Sequence, residues 1–353
     1  MTETSLDRWT NKTAVLLLPL FFFASPINAA CYIEGASVRL SNKCALEMLD
    51  GKTIDVNTAE RIDRKLKEEG ISAGLGFPSL GNANSVSKII YPILSYSDNV
   101  NGGVPPEPLF GRWTPLEGTI RKDGVVAGFG LGVSGRYIYD EGRYLSYGVN
   151  ASYAYSPQHR IGVAKTTANV CSVNHVKNWW YVDLCANSFR VRKDLTDSIN
   201  SNLSIKSSKV FESNDGVYSE ASFGINRYFA ESYSQNQLMF GYDTIHSNGV
   251  FSALNITFGE SVENELTTKF SVQGRVSAKL VNKPLTLTAS YSKADGGVIL
   301  GVDRSDNTYS VNVTYPIWRN FSATLGYRAT DSTIGIYSVR TPTFGIQFVP
   351  IEF

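Results

Sequence analysis

From about residue 125 to the last position the chain repeats one pattern, an apolar side chain at every second position. In the first run Ala127, Phe129, Leu131, Val133, Tyr137 and Tyr139 alternate with Gly128, Gly130, Gly132, Ser134, Arg136 and Ile138. In the next, Leu145, Tyr147, Val149, Ala151, Tyr153 and Tyr155 alternate with Ser146, Gly148, Asn150, Ser152 and Ala154. Successive strand side chains point to opposite faces, so this period predicts strands with one apolar and one mostly polar face. The runs span roughly 9 to 13 residues, about twice the usual strand of a soluble domain. At about 3.3 Å per residue and a tilt near 40°, such a strand rises roughly 25–30 Å, the height of a bilayer core. The pattern therefore predicts an all-β fold, a transmembrane antiparallel β-barrel. A large secreted β-sandwich is the competing architecture.

The totals fit a barrel. The net charge is +1 and 18% of residues are charged, which gives no field for nucleic acid. Mean hydropathy is slightly negative, at −0.12. A barrel has that value because half of each strand faces water. Gly 30 and Tyr 19 suit packed strands and aromatic girdles.

Residues 1–30 read as a signal peptide. Arg8 and Lys12 precede an apolar run from Ala14 to Phe23, broken by Pro19, and Ser25 to Ala30 supply small residues for cleavage. The apolar run is about ten residues, too short to cross a membrane comfortably. Cys31 directly after Ala30 raises lipid attachment as an alternative, but Asn28 occupies a position where such sites favour Leu. The four cysteines form two close pairs, Cys31 with Cys44 and Cys171 with Cys185. An exported chain with an even count favours two local disulfides. If the chain turns near Asn178, Cys171 and Cys185 oppose each other with Cα atoms near 5.5 Å, within disulfide reach.

Residues 31–85 differ from the rest and read as a small α/β N-terminal segment and linker. Leu49-Asp50-Gly51-Lys52 has the composition of a tight hairpin turn. Asn57 or Thr58 can cap a helix whose apolar side carries Ile62 and Leu66 and which ends at Gly70. A periplasmic cap and a plug inside the barrel mouth both fit. Residues 86–353 form the barrel, with about fourteen strands near 86–97, 125–139, 143–155, 160–171, 179–191, 198–211, 217–229, 235–246, 250–259, 267–280, 285–293, 307–315, 321–330 and 340–353. An even count returns both chain ends to the periplasm. The connections at 140–142, 281–284 and 317–320 are short, whereas 98–124, 294–306 and 331–339 read as long loops on the opposite side. Pro350 cannot donate to a ladder, so the last strand is expected to be interrupted there. Bacterial outer-membrane proteins commonly end in an aromatic residue that assembly machinery recognises, and likeness to them makes Phe353 the candidate assembly signal.

Catalytic chemistry is not expected. His159, His175 and His246 are the three histidines, and none has a serine two residues away on a shared face. Asp295, Asp303 and Asp306 read as a solvated outer loop. No metal site or cofactor is indicated. Gly128-Phe129-Gly130-Leu131-Gly132 has no following helix to hold a phosphate and instead leaves lumen space. If the apolar partners face lipid, Arg136, Lys206, Arg275, Lys279 and Arg328 line the lumen, because an Arg or Lys at mid-membrane on the lipid side costs about 2–4 kcal/mol. A mildly basic lumen fits anion passage or an acidic cargo segment, unless nearby carboxylates balance it. Trp179, Trp180, Tyr181, Tyr228, Tyr315 and Trp318 are expected in aromatic girdles.

The first strand and its loop, Ile93-Leu94-Ser95-Tyr96-Ser97-Asp98-Asn99-Val100-Asn101-Gly102, resemble the opening of the barrel domain in surface lipoprotein assembly modifiers, the Slam family. There a strand of this type runs into an Asn-x-Asn loop, here with Ser95, Tyr96, Asp98, Asn99 and Asn101 at the matching positions. The helical repeat domain that precedes that family's barrel has no counterpart here beyond about fifty-five residues. The resemblance implies a protein of the Gram-negative outer membrane that brings a lipoprotein or secreted cargo to the surface, with membrane lipid and the assembly machinery as partners. A porin-like diffusion channel for small solutes is the alternative.

Overall fold

In the computed structural model the residues described are 31, 35–51, 62, 66, 85–140, 142–213, 216–281, 283–318, 321–348 and 351–352. Helix α1 spans Val38–Gly51. The strands are β1 Ser85–Ser97, β2 Gly124–Asp140, β3 Arg143–Ser156, β4 Ile161–Lys177, β5 Trp180–Arg192, β6 Asp197–Ser213, β7 Val217–Phe229, β8 Ser234–Ile245, β9 Phe251–Gly259, β10 Thr267–Leu280, β11 Lys283–Ile299, β12 Val302–Trp318, β13 Phe321–Ser332, β14 Val339–Phe348 and the short β15 Ile351–Glu352. Each of β1 to β14 pairs antiparallel with its neighbours in sequence, and β1 pairs with both β14 and β15, so the sheet closes into a barrel of fourteen long strands. The closing seam is short. It consists of Ile93–Ser95 against Gly345–Gln347 and Ile89–Ile90 against Ile351–Glu352. The last strand breaks after Phe348 and resumes at Ile351, on either side of Pro350.

Alternation becomes geometry. On β6 and β7 the odd-numbered Leu203, Ile205, Phe223 and Ile225 are 46–58% exposed, although they are large and apolar. The even-numbered Ser208, Glu220 and Asn226 are at most 4% exposed. Apolar surface turned outward on every strand of a closed barrel has only lipid as a compatible surrounding. The polar face turned inward contains the buried contacts. The protein is thus a transmembrane β-barrel, with the even-stranded, antiparallel architecture of the Gram-negative outer membrane. On the outward face Phe223, Phe240, Phe258, Phe270, Tyr291 and Tyr309 form a ladder of ring contacts, with centroids 5.0–6.2 Å apart. Such tilted and edge-on pairs add to strand pairing.

Several expectations change. Leu49, Asp50 and Gly51 are the last residues of α1, not a hairpin turn. Residues 294–306 are not a loop. β11 and β12 run to a two-residue turn at Leu300-Gly301, where both φ are positive, and a bulge at Asp295/Gly297 absorbs Gly296. Asp306 therefore lies on β12, paired with Arg304 at 2.6 Å, and Asp295 lies on β11, paired with Lys293 at 3.2 Å. Among the described residues 98–123 is the one long connection between strands, and β13 and β14 are joined by 333–338. Tyr181 belongs to no girdle; it is 4% exposed and packs inside. Residues 1–30, most of 52–84, and Phe353 lie outside the described residues.

Candidate functional site

The barrel interior has two ends. One, the terminal end, carries the chain's entry into β1. The other, the loop end, carries residues 98–123.

At the terminal end α1 lies against the inner wall. Ser37 caps it, its Oγ accepting from the Leu40 amide (3.1 Å) and donating to Glu220. Leu40, Cys44 and Ala45 form one apolar face, and the Cys31–Cys44 disulfide staples the approach. That face is buried with Tyr181, Val210, Tyr218, Ile245, Phe251 and Ala253, and with Ile62 and Leu66 of the following segment. All these barrel residues lie at the terminal ends of β5 to β9.

Charge fixes the orientation. Arg39 donates twice to Asp183, at 3.2 and 2.6 Å, and its Nε lies 2.9 Å from Glu220. The guanidinium also sits 4.9 Å from the Tyr181 ring centre. Lys206 opposes Asp183 in register and approaches it to 3.7 Å. Glu220 stands directly opposite Asp243 on β8. Two like charges so placed repel unless cations intervene, and here Arg39, Lys206 and Arg275 supply them. Arg275 further donates to the Gly35 carbonyl at 2.6 Å. The patch thus sets three carboxylates against three cations.

At the loop end, residues 99–103 form a small knot. Asn99 Nδ2 donates to the Gly103 carbonyl (2.9 Å), and its Oδ1 accepts from the Gly103 amide (3.0 Å). Asn101 Nδ2 donates to the Ile120 carbonyl (2.7 Å), and its Oδ1 accepts from the Lys122 amide (2.8 Å). Val100 is fully buried among the inward-facing Ile93, Val126, Ala154, Ile161 and Val163, so the loop turns into the mouth. It reaches residues 193–196, where the Leu195 amide donates to the Asn101 carbonyl and Thr196 Oγ1 to the Gly102 carbonyl, both at 2.8 Å. Gly102 has φ of 76°, and a Cβ there would collide with Thr196.

The sequence-derived residues fall as follows. Arg136, Lys206, Arg275, Lys279 and Arg328 all lie on the side opposite the exposed apolar residues of their strands. Lys206 and Arg275 come together around α1. Arg136 stacks over Tyr144 at 4.7 Å, and Arg328 opposes Ser310 and Thr341, away from that patch. Lys279 opposes Pro284 near the terminal end. Ser95 pairs with Gly345 across the seam, and Tyr96 donates to Asp123. Asn99 and Asn101 build the knot, and Asp98 precedes it. Cys171 and Cys185 are bonded on directly opposite residues, with Cα atoms 4.1 Å apart. That spacing is close to a non-hydrogen-bonded pair, not to the wider pair expected. Arg39, Asp183, Glu220 and Asp243 were not among the predicted site residues. The alternation in Tyr181-Val182-Asp183-Leu184 places Asp183 inward and was the available signal.

Three histidines sit apart. His159 donates to the Asp123 carbonyl (2.7 Å), and His175 stacks on Tyr181 at 5.1 Å. His246 Nε2 lies 2.9 Å from Ser252 Oγ, but among the described residues no carboxylate orients its other nitrogen, as a nucleophilic pair needs. Among the described residues no group of three or more His, Cys, Asp or Glu could hold a metal ion.

No family model and no curated protein matches the sequence. Among solved structures, OccK2 of Pseudomonas aeruginosa is 10% identical with a TM-score of 0.41, over 76% of this chain and 98% of that one. OprB of Pseudomonas putida is 6% identical with a TM-score of 0.45, over 76% and 94%. A BenF-like porin of Pseudomonas fluorescens Pf-5 is 8% identical with a TM-score of 0.40, over 76% and 99%. Such values are too low to carry a statement about this chain's solute or partners.

Proposed function

We propose that the protein is a diffusion channel of the outer membrane for small polar solutes, narrowed at one end by the N-terminal segment and at the other by the loop at 98–123. The observation that carries this is the inner wall itself. Eight strands enclose an interior that side chains just fill, whereas fourteen enclose more. The wall is polar, with Ser290 bonded to Ser310 and Thr314 to Thr324 across strands, so water is its compatible filling. A helix about 10–12 Å wide occupies part of the bore at the terminal end. Purified protein in planar bilayers is expected to give discrete conductance steps. A flat baseline from protein that has inserted and folded would overturn the channel.

A second reading is surface assembly of a secreted protein or lipoprotein. Its support is that the barrel already holds a stretch of polypeptide, α1, against its inner wall by side-chain contacts. The likeness of Ile93–Gly102 to the surface lipoprotein assembly modifiers belongs to this reading, although in this chain those residues tie the loop into the mouth. It predicts that a deletion strain loses a surface protein, and an unchanged surface proteome removes it. Neither reading calls for bond-making chemistry.

A further inference from the structure

The outward face of β3, β4 and β5 departs from the rest of the belt. Tyr153, Ala164 and Arg192 are direct cross-strand neighbours there, and Gly162 follows next to Ala164 toward the loop end. On the outward side of β4 the residues are small at Ala164 and Ala168, with Thr166 between them, which leaves a shallow furrow beside Tyr153 and Arg192. The Tyr153 hydroxyl already occupies the space a side chain at 162 would need. At the loop-end rim the furrow opens into a cavity of about 550 Å³ whose charged lining is Lys122, Arg160, Arg192 and Lys193 against the single carboxylate of Asp194. Other nearby groups are already engaged. Arg190 is paired with Asp197 at 2.6 Å, Asp123 accepts from Tyr96, and His159 donates to the Asp123 carbonyl. Lys193 is turned toward the mouth, donating to the Asn99 carbonyl of the loop knot.

Further down the same strands the chemistry reverses. A mostly apolar groove of about 600 Å³ runs past Val170 and Leu184 and on across Leu203, Ile205 and Ile225 to Arg227. Val170 lies about 20 Å from Ala164 along β4. A cationic cavity at the rim above an apolar groove on the lipid face has the two-part chemistry of an amphiphile with an anionic head.

We infer that this furrow is a binding site for a phosphorylated lipid of the leaflet at the loop end, its phosphate held by Arg160 and Arg192 and an acyl chain laid along β4. Guanidinium donors suit phosphate oxygens, which they hold in a bidentate manner. The site rests on the membrane-spanning barrel and not on conduction, so it stands or falls separately from the channel.

The test uses the full-length protein, delipidated and placed in nanodiscs, with bound lipid read by native mass spectrometry. The probes are a bisphosphorylated diglucosamine glycolipid, its monophosphoryl form and phosphatidylcholine. Retention is expected to fall in that order, with millimolar inorganic phosphate failing to displace the glycolipid. The double change Arg160→Gln with Arg192→Gln should weaken retention about tenfold or more, the size expected for lost charged hydrogen bonds. Ala164→Trp, which keeps every charge and fills the furrow, should weaken it too. Heat-modifiable gel mobility reports that each variant is folded. Equal retention of the three lipids, parental retention in both variants, or displacement by inorganic phosphate would each overturn the assignment.

Discussion

Arg39 connects the N-terminal segment to the barrel wall, and its surroundings say what its loss would do. Asp183 and Glu220 each have side chains only 5% exposed. Removing the guanidinium leaves both carboxylates without their main partner, and breaking such a buried pair typically costs about 3–5 kcal/mol. Arg39→Ala should therefore loosen α1, seen as faster amide exchange over Val38–Gly51 and larger conductance steps. Unchanged exchange would mean that the apolar face around Leu40 holds the helix by itself. At the other end, Asn101→Ala strands the Lys122 amide and the Ile120 carbonyl and should cost about 1–3 kcal/mol. Limited proteolysis should then cut within 98–123, where the parent resists. Little of this was legible in the sequence. Alternation orients Asp183, but its partner lies 144 residues earlier, and no local pattern encodes that contact. The Asn-x-Asn-Gly-Gly run does announce tight turns, but not that they fold inward, because Val100 finds its neighbours on four separate strands.

Strands were the most legible elements, because a period of two is a local signal repeated many times. The expected 217–229 and 267–280 coincide with β7 and β10. Errors arose where glycine has two uses. Gly296-Gly297 has the composition of a loop, yet it forms a bulge inside a strand whose hydrogen bonding continues on both sides. Asp50-Gly51 has the composition of a hairpin turn, yet Gly51 ends a helix, the other place where glycine is favoured. Leu300 is the converse case, a residue with no turn preference held at φ of 52° by the register of two long strands. The seam makes its own prediction. Leu94 opposes Ile346, so Leu94→Cys with Ile346→Cys should cross-link in an oxidising compartment without loss of heat-modifiable mobility, opposed strand residues being within disulfide reach. A pair displaced by one residue, Leu94→Cys with Gln347→Cys, should not, since its side chains point to opposite faces.

For the molecule as a whole, the closed sheet with its apolar side outward is the claim from which the channel, the inner helix and the rim site all follow. Leu203→Arg should cost about 2–4 kcal/mol if it lies near mid-membrane, whereas Ser204→Arg, on the inner face, should cost far less. Refolding midpoints in urea with lipid vesicles would register the difference. The most direct measurement places spin labels one at a time along Ile199 to Ser208 in the reconstituted protein and compares accessibility to oxygen, which concentrates in lipid, with that to a water-soluble nickel complex. Oxygen should dominate at the odd positions, including 199, 203 and 205, and nickel should gain at the even ones. If both faces are shielded from both reagents, or the two reagents show no alternation, the strands are not a lipid-embedded barrel wall.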